Sequence, residues 1–170
     1  MGAGRLGMDV GLISGPTAYA QALRQAIITA CEQGCREMRW LDESFVDWPL
    51  SDPEVLAALT TWARRPRCLH LMAAQYDEVR LRHPLFVRWR LQFGHCVQAR
   101  AFEVGASRAG LAAALLAVGA GSTLSVRLFD AKHCGASVSL LAADGFRIRE
   151  RFDALAQRSS ESFAATTLGL

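Results

Sequence analysis

At 170 residues, 51% hydrophobic and 21% charged, the chain has the size and composition of one folded domain and is too apolar for a disordered segment. A net charge of +3 is small for a protein devoted to nucleic acid, and five cysteines, an odd number, fit no paired framework. No apolar run reaches the roughly 20 residues of a membrane helix, so membrane insertion is not expected. Residues Met1 to Asp9 hold no apolar signal core, and a cytoplasmic protein with reduced thiols is the expectation. We expect a single domain over residues 1–170, with its ordered core at about 10–163.

The elements follow in chain order. Thr17–Gly34 is predicted helical, with Ala20, Leu23, Ile27 and Ala30 on one face and proline and glycine at its ends. Met38–Leu41 reads as a short strand. Asp42-Glu43-Ser44 then opens an acidic loop that runs through Asp47-Trp48-Pro49. Ser51-Asp52-Pro53-Glu54 starts a helix, with a capping carboxylate before proline and an acid in the first turn. Val55, Leu56, Leu59 and Trp62 form its buried face, and Arg64-Arg65-Pro66 closes it. Cys68–Ala73, apolar on both faces, reads as a central strand.

Tyr76–Leu81 and Leu85–Phe93 are predicted helices interrupted at Pro84, the second with Phe86, Trp89 and Phe93 on one stripe. Cys96–Phe102 is the next strand. Gly105–Gly121 is predicted to be a helix between glycine-rich ends, with Leu111–Val118 buried. Thr123–Asp130 and Ser137–Ala143 form an antiparallel hairpin that turns around Cys134-Gly135. Phe146–Ser159 is a closing helix anchored by Phe146, Ile148, Phe152 and Leu155, and the tail beyond Phe163 is expected to fray. Helices alternating with strands give an α/β domain: a mixed, partly parallel β-sheet flanked by helices, with a C-terminal hairpin and a closing helix.

Basic charge is almost all arginine. Lys132 is the only lysine, so chemistry that needs an ammonium must use it. Arg64 to Arg100 carries eight arginines against Asp77 and Glu78. Within it, Arg80, Arg82 and His83 precede a helix start at Pro84 and form a candidate site for a small phosphate or carboxylate ligand; the alternative is a solvated face paired to nearby acids. The chain lacks the aromatic-and-basic pattern of single-strand binders, which argues against nucleic acid as a partner. His70 reads as a core histidine, and His95 has no carboxylate close in sequence. His133, beside Lys132 and Cys134, reads as part of a turn rather than as the base for a Cys134 nucleophile. Cys31 and Cys35 lie one helical turn apart without a matching second pair, so neither a metal nor a cofactor is predicted. Asp42, Glu43 and Asp47, with Trp40 and Trp48, follow a strand at the end where α/β sheets bind ligands; pairing to the arginines is the alternative.

One spacing carries more. Ser137-x-Ser139-x4-Asp144, then Gly145, has a strand-plus-turn framing, with Asp144-Gly145 readable as a turn alone. With Leu69–Ala73, the His83-Pro84 helix start and Arg149–Leu155, it gives residues 17–163 an order that resembles a phospholipase-D-like domain. The resemblance is to small bacterial single-domain members of unknown function. In active members of that superfamily a His-x-Lys-x4-Asp motif works on a phosphodiester. The histidine attacks phosphorus, the lysine holds the phosphate and the aspartate orients the histidine. Here Ser137 and Ser139 stand in the first two positions and only Asp144 matches, which implies a non-catalytic domain with a binding or assembly role. Active members pair two half-domains about a two-fold axis, so a half-size chain implies a homodimer. The alternative is a hydrolase or transferase that acts on a phosphate-containing substrate through Arg80, Arg82, His83 and the acidic loop.

Overall fold

The computed structural model describes residues 9–104 and 112–164. Strand β1 is Gly11–Ile13, and helix α1 follows at Pro16–Glu32. Proline fits the first turn of α1, where its missing N–H has no helical partner, and Gly15 before it takes φ 99°. Strand β2 is Glu37–Leu41, helix α2 Pro53–Trp62 and strand β3 Cys68–Ala73. The Asp52 cap of α2 accepts the N–H groups of Glu54 at 2.8 Å and Val55 at 3.4 Å, as its place before proline requires. Helices α3 (Asp77–Arg82) and α4 (Pro84–Gln92) meet at His83, the N-cap of α4. A 3-10 turn at Gly94–Cys96 leads into strand β4, Val97–Ala101.

Strands β5 (Ala113–Gly119), β6 (Ser122–Asp130) and β7 (Gly135–Ser139) follow, then helix α5 (Ala142–Gln157) and the short strand β8 (Ser160–Glu161). They build one eight-stranded sheet in the order β1-β7-β6-β5-β2-β3-β4-β8. β2, β3 and β4 run parallel and the other pairs are antiparallel, so the sheet is mixed as the alternation of elements implied. One face, packed by α1, α2 and α4, holds the larger core around Leu23, Ile27, Trp40, Leu59 and Phe86. The other face packs α5 through Ile148, Phe152 and Leu155 onto Leu41, Met72, Ala114 and Leu116.

Two expectations need correction. The helix expected over Gly105–Gly121 is strand β5 from Ala113 onward; residues 105–111 lie outside the described set, as does the tail from 165. Ala-Ala-Leu-Leu-Ala-Val has high helix propensity, but here it lies between β2 and β6 with both faces covered. A doubly covered strand must be apolar throughout, and tertiary pairing overrides propensity. α5 begins at Ala142 instead of at Phe146, so Phe146 turns outward at 61% exposure. Gly145 then takes the inward position: a Cβ there would sit 2.5 Å from Thr123 Cγ2 and 3.0 Å from Leu116 Cδ1, which makes Asp144-Gly145 part of a close helix–sheet contact. The edge strands β1 and β8, three and two residues long, have no pattern of their own in the sequence.

Candidate functional site

Strand β7 and the start of α5 form the strand–turn–helix frame of the Ser137, Ser139 and Asp144 positions. Ala136 and Val138 point into the larger core, so Ser137 and Ser139 face the α5 side. Ser137 lies in register between Leu12 of β1 and Arg127 of β6, and Ser139 pairs with Ser125. The Ser139 hydroxyl donates to Asp144 Oδ2 at 2.6 Å and accepts the Leu141 N–H at 3.1 Å. Arg147 lies 3.8 Å from the other Asp144 oxygen. The frame therefore brings Ser139 and Asp144 into direct contact, but the pair offers neither an imidazole for attack on phosphorus nor an ammonium for its oxygens. His133, on the turn before β7, has its Nδ1 2.9 Å from Asp130 Oδ2. That contact directs its ring to a carboxylate of its own hairpin.

Arg80, Arg82 and His83 each engage separate partners. His83 is 7% exposed, with Nδ1 2.7 Å from Ser51 Oγ and Nε2 donating to Val46 O at 3.0 Å. Both ring nitrogens thus tie the acidic loop and the start of α2 to the α3–α4 junction. Arg80 reaches Asp77 at 3.3 Å and lies 5.4 Å over the Phe163 ring, while Arg82 approaches Glu78 at 3.9 Å.

A cleft of about 1010 Å³ opens where β2 ends and β5 and the β6–β7 turn begin, beside the first turn of α1. Four carboxylates line it: Asp42, Glu43, Asp47 and Asp52. Asp52 is committed, since Arg24 Nε binds its Oδ2 at 2.7 Å while Arg24 Nη2 reaches Glu54. Burial opposes ionisation of Asp52, but the Arg24 bond and the two backbone donors hold its pKa below the ordinary value. Asp42 goes the other way. Burial raises its pKa and nearby Asp47 adds to the shift, against the N–H groups of Ser44 at 3.0 Å and Phe45 at 2.6 Å. The Trp48 indole N–H also approaches Asp42 and lowers it, without closing a hydrogen bond of normal geometry. Asp42, Glu43 and Asp47 make no ion pair among the described residues.

Tyr19 on α1 also lines this cleft, and sequence reasoning missed it because its helical spacing reads only as core. It is 5% exposed and its hydroxyl has no hydrogen-bond partner among the described residues. Burial, then Asp42, Cys134 and Asp47, push its pKa far upward, so the phenol stays protonated with a hydrogen to donate. Two lining segments are strained as well. Phe45, in the loop under the cleft, has φ 58° and Cys134, in its wall, has φ 50°. The left-handed region costs a non-glycine residue about 1–2 kcal/mol. Phe45 is held there by an edge contact to Trp48 at 5.0 Å and by Tyr76 at 6.3 Å.

The remaining candidates stay apart. His70 lies 3.4 Å from Glu37 and 3.2 Å from Cys68 Sγ, and burial and Arg39 lower its pKa. Burial pushes the Cys35 thiol up to about 11 and Cys31 higher still. Among the described residues no three His, Cys, Asp or Glu side chains group to hold a metal ion, and no helix is long and apolar enough to cross a membrane.

The fold is that of phospholipase-D-like α/β domains. Nuc from Salmonella typhimurium, a phospholipase D family member, superposes with TM-score 0.55 at 9% identity, over 91% of this chain and 99% of its own. TrmBL2, an archaeal chromatin protein with a novel mode of DNA binding, gives TM-score 0.59 at 11% identity over 91% of this chain. This chain spans about half of TrmBL2, 54%. No protein-family model and no curated protein sequence matches the chain.

Proposed function

We propose that this chain is a non-catalytic phospholipase-D-like domain with a binding role. The observation that carries this reading is the Ser139–Asp144 bond at 2.6 Å. It closes the carboxylate onto a hydroxyl at the position where the resemblance calls for an ammonium, on a strand with no imidazole. A serine there has no base strong enough to make it a nucleophile. The alternative, catalysis on a phosphate substrate through Arg80, Arg82 and His83, has less support because their side chains take separate directions and His83 is spent on Val46 and Ser51.

The binding role belongs to the cleft at the end of β2. Its four carboxylates outweigh Arg24, the basic residue in its lining, by three charges, so a phosphate would be repelled and an ammonium or guanidinium favoured. Trp48 and Tyr19 place aromatic side chains in the lining beside these carboxylates. Glu43 and Asp47 would pair with such a cation. Titration with spermidine by calorimetry at low salt tests this. Saturable binding that falls at least about tenfold in Glu43→Gln/Asp47→Asn is expected for two lost charge pairs. No binding, or equal binding by that variant, would remove the cleft from the reading.

Self-association is the second part of the proposal. Val10 and Leu12 on the β1 side and Leu140, Leu141 and Phe146 around the turn after β7 are large apolar side chains left exposed at one end of the sheet. A second copy is the partner the resemblance implies, and this exposed apolar cluster is the place we assign to it. Sedimentation equilibrium should show a dimer that Leu12→Glu/Phe146→Glu dissociates; a monomer at all concentrations would refute this part.

A further inference from the structure

The opposite end of the parallel strands carries a second hollow, of about 600 Å³, lined by Arg36, Arg64, Arg65, Arg67, Cys68 and His95, with Pro66. No carboxylate lines it. The residues come from three loops: Arg36 precedes β2, Arg64 to Arg67 join α2 to β3, and His95 precedes β4. None of the four arginines makes an ion pair among the described residues, whereas Arg80, Arg82 and Arg149 pair with acids on their own helices. Arg67 Nε is shut off from solvent and lacks a hydrogen-bond partner, and its Nη2 lies 3.4 Å from the position a Cβ on Gly34 would take.

The three loops are fastened to one another. Trp62 Nε1, at the end of α2, donates to Cys35 O at 2.6 Å, and Cys68 N–H donates to Arg36 O at 3.2 Å. Cys96 Sγ donates to Ala63 O at 3.5 Å, which joins the loop of His95 to the arginine loop. The guanidinium groups are thus placed on fixed backbone and not on a loose surface segment.

A bland explanation is that the arginines neutralise the C-terminal ends of α1 and α2. Each helix end presents only about half a negative charge. Two such ends offset about one of four positive charges and leave roughly three without a partner. Guanidinium groups with no carboxylate partner and fixed forks match the oxygens of a multiply charged anion.

We infer that this hollow is a binding site for a compact polyphosphate group, separate from the acidic cleft and independent of the reading given for it. Three loops that converge on one hollow suit a short, dense anion better than an extended strand. The test uses calorimetry of the whole chain with inorganic tripolyphosphate at low salt, in parallel with a single-stranded oligonucleotide. Saturable tripolyphosphate binding is expected, weakened at least tenfold in Arg36→Ala/Arg67→Ala and unchanged in Arg149→Ala. Thermal melts of the variants show that each is folded, and Arg64→Ala/Arg65→Ala, both exposed, provides a second pair should the first fail to fold. Absent tripolyphosphate binding, equal binding by both double variants, or oligonucleotide binding that tripolyphosphate does not displace would each overturn the inference.

Discussion

The two ends of the parallel strands β2 and β3 differ in sign and in how their charges are held. At the C-terminal end two of the four carboxylates are locally employed: Asp42 accepts two backbone N–H groups and Asp52 caps a helix and holds Arg24. At the N-terminal end Arg36, Arg64, Arg65 and Arg67 have no carboxylate partner among the described residues. Charge at the first end therefore builds the fold as well as facing the cleft. Charge at the second end adds mutual repulsion that a bound anion would relieve. Removing acids should change stability, and removing these arginines should change binding with little loss of stability.

The largest effect should come from the fastening of the basic end. Trp62→Ala deletes a side chain that is 3% exposed and frees Cys35 O, so unfolding free energy should fall by about 3–5 kcal/mol in urea titration. A fall below about 1 kcal/mol would mean that Trp62 does not join the two loops.

Asp52→Ala should cost about 1–2 kcal/mol as a lost N-cap. Because the folded pKa of Asp52 lies below its ordinary value, the stabilisation is complete above the ordinary carboxylate range and is lost as pH falls through the folded value. Acid titration of stability should therefore be flatter in Asp52→Ala than in the parent chain. Parallel curves would show that the carboxylate does no such work.

The smallest effect is expected at Asp42. Its folded pKa is raised, so its contribution favours the fold as pH drops below that value and is lost as pH rises through it. Asp42→Asn keeps an oxygen for Ser44 and Phe45 N–H and removes the buried charge. Stability at neutral pH should rise by up to about 1 kcal/mol. A clear loss would place more weight on the charge than its burial allows.

The same two ends show what could be read from residues alone. Local chemistry was legible: Ser51-Asp52-Pro53 marks the start of α2, Cys68–Ala73 matches β3 residue for residue, and the Ser137, Ser139, Asp144 spacing falls on a strand and a helix start. Signals written by packing were not. β5 has the composition of a helix and becomes a strand because β2 and β6 flank it. Tyr19 meets Asp42 across more than 20 positions of sequence, and the arginine hollow gathers positions 36, 64–67 and 95. No local period encodes such meetings, so only the topology reveals them. Arg80, Arg82 and His83 show the converse, because closeness in sequence did not give a shared direction.

The reading of the β7–α5 frame as a non-catalytic element is open to one direct measurement. Purified protein at micromolar concentration is incubated with bis-p-nitrophenyl phosphate and the release of nitrophenolate is followed. A chain without attacking imidazole or ammonium at this frame should give the rate of buffer alone, with Ser139→Ala indistinguishable from it. Turnover above buffer that disappears in Ser139→Ala or Asp144→Asn would contradict it.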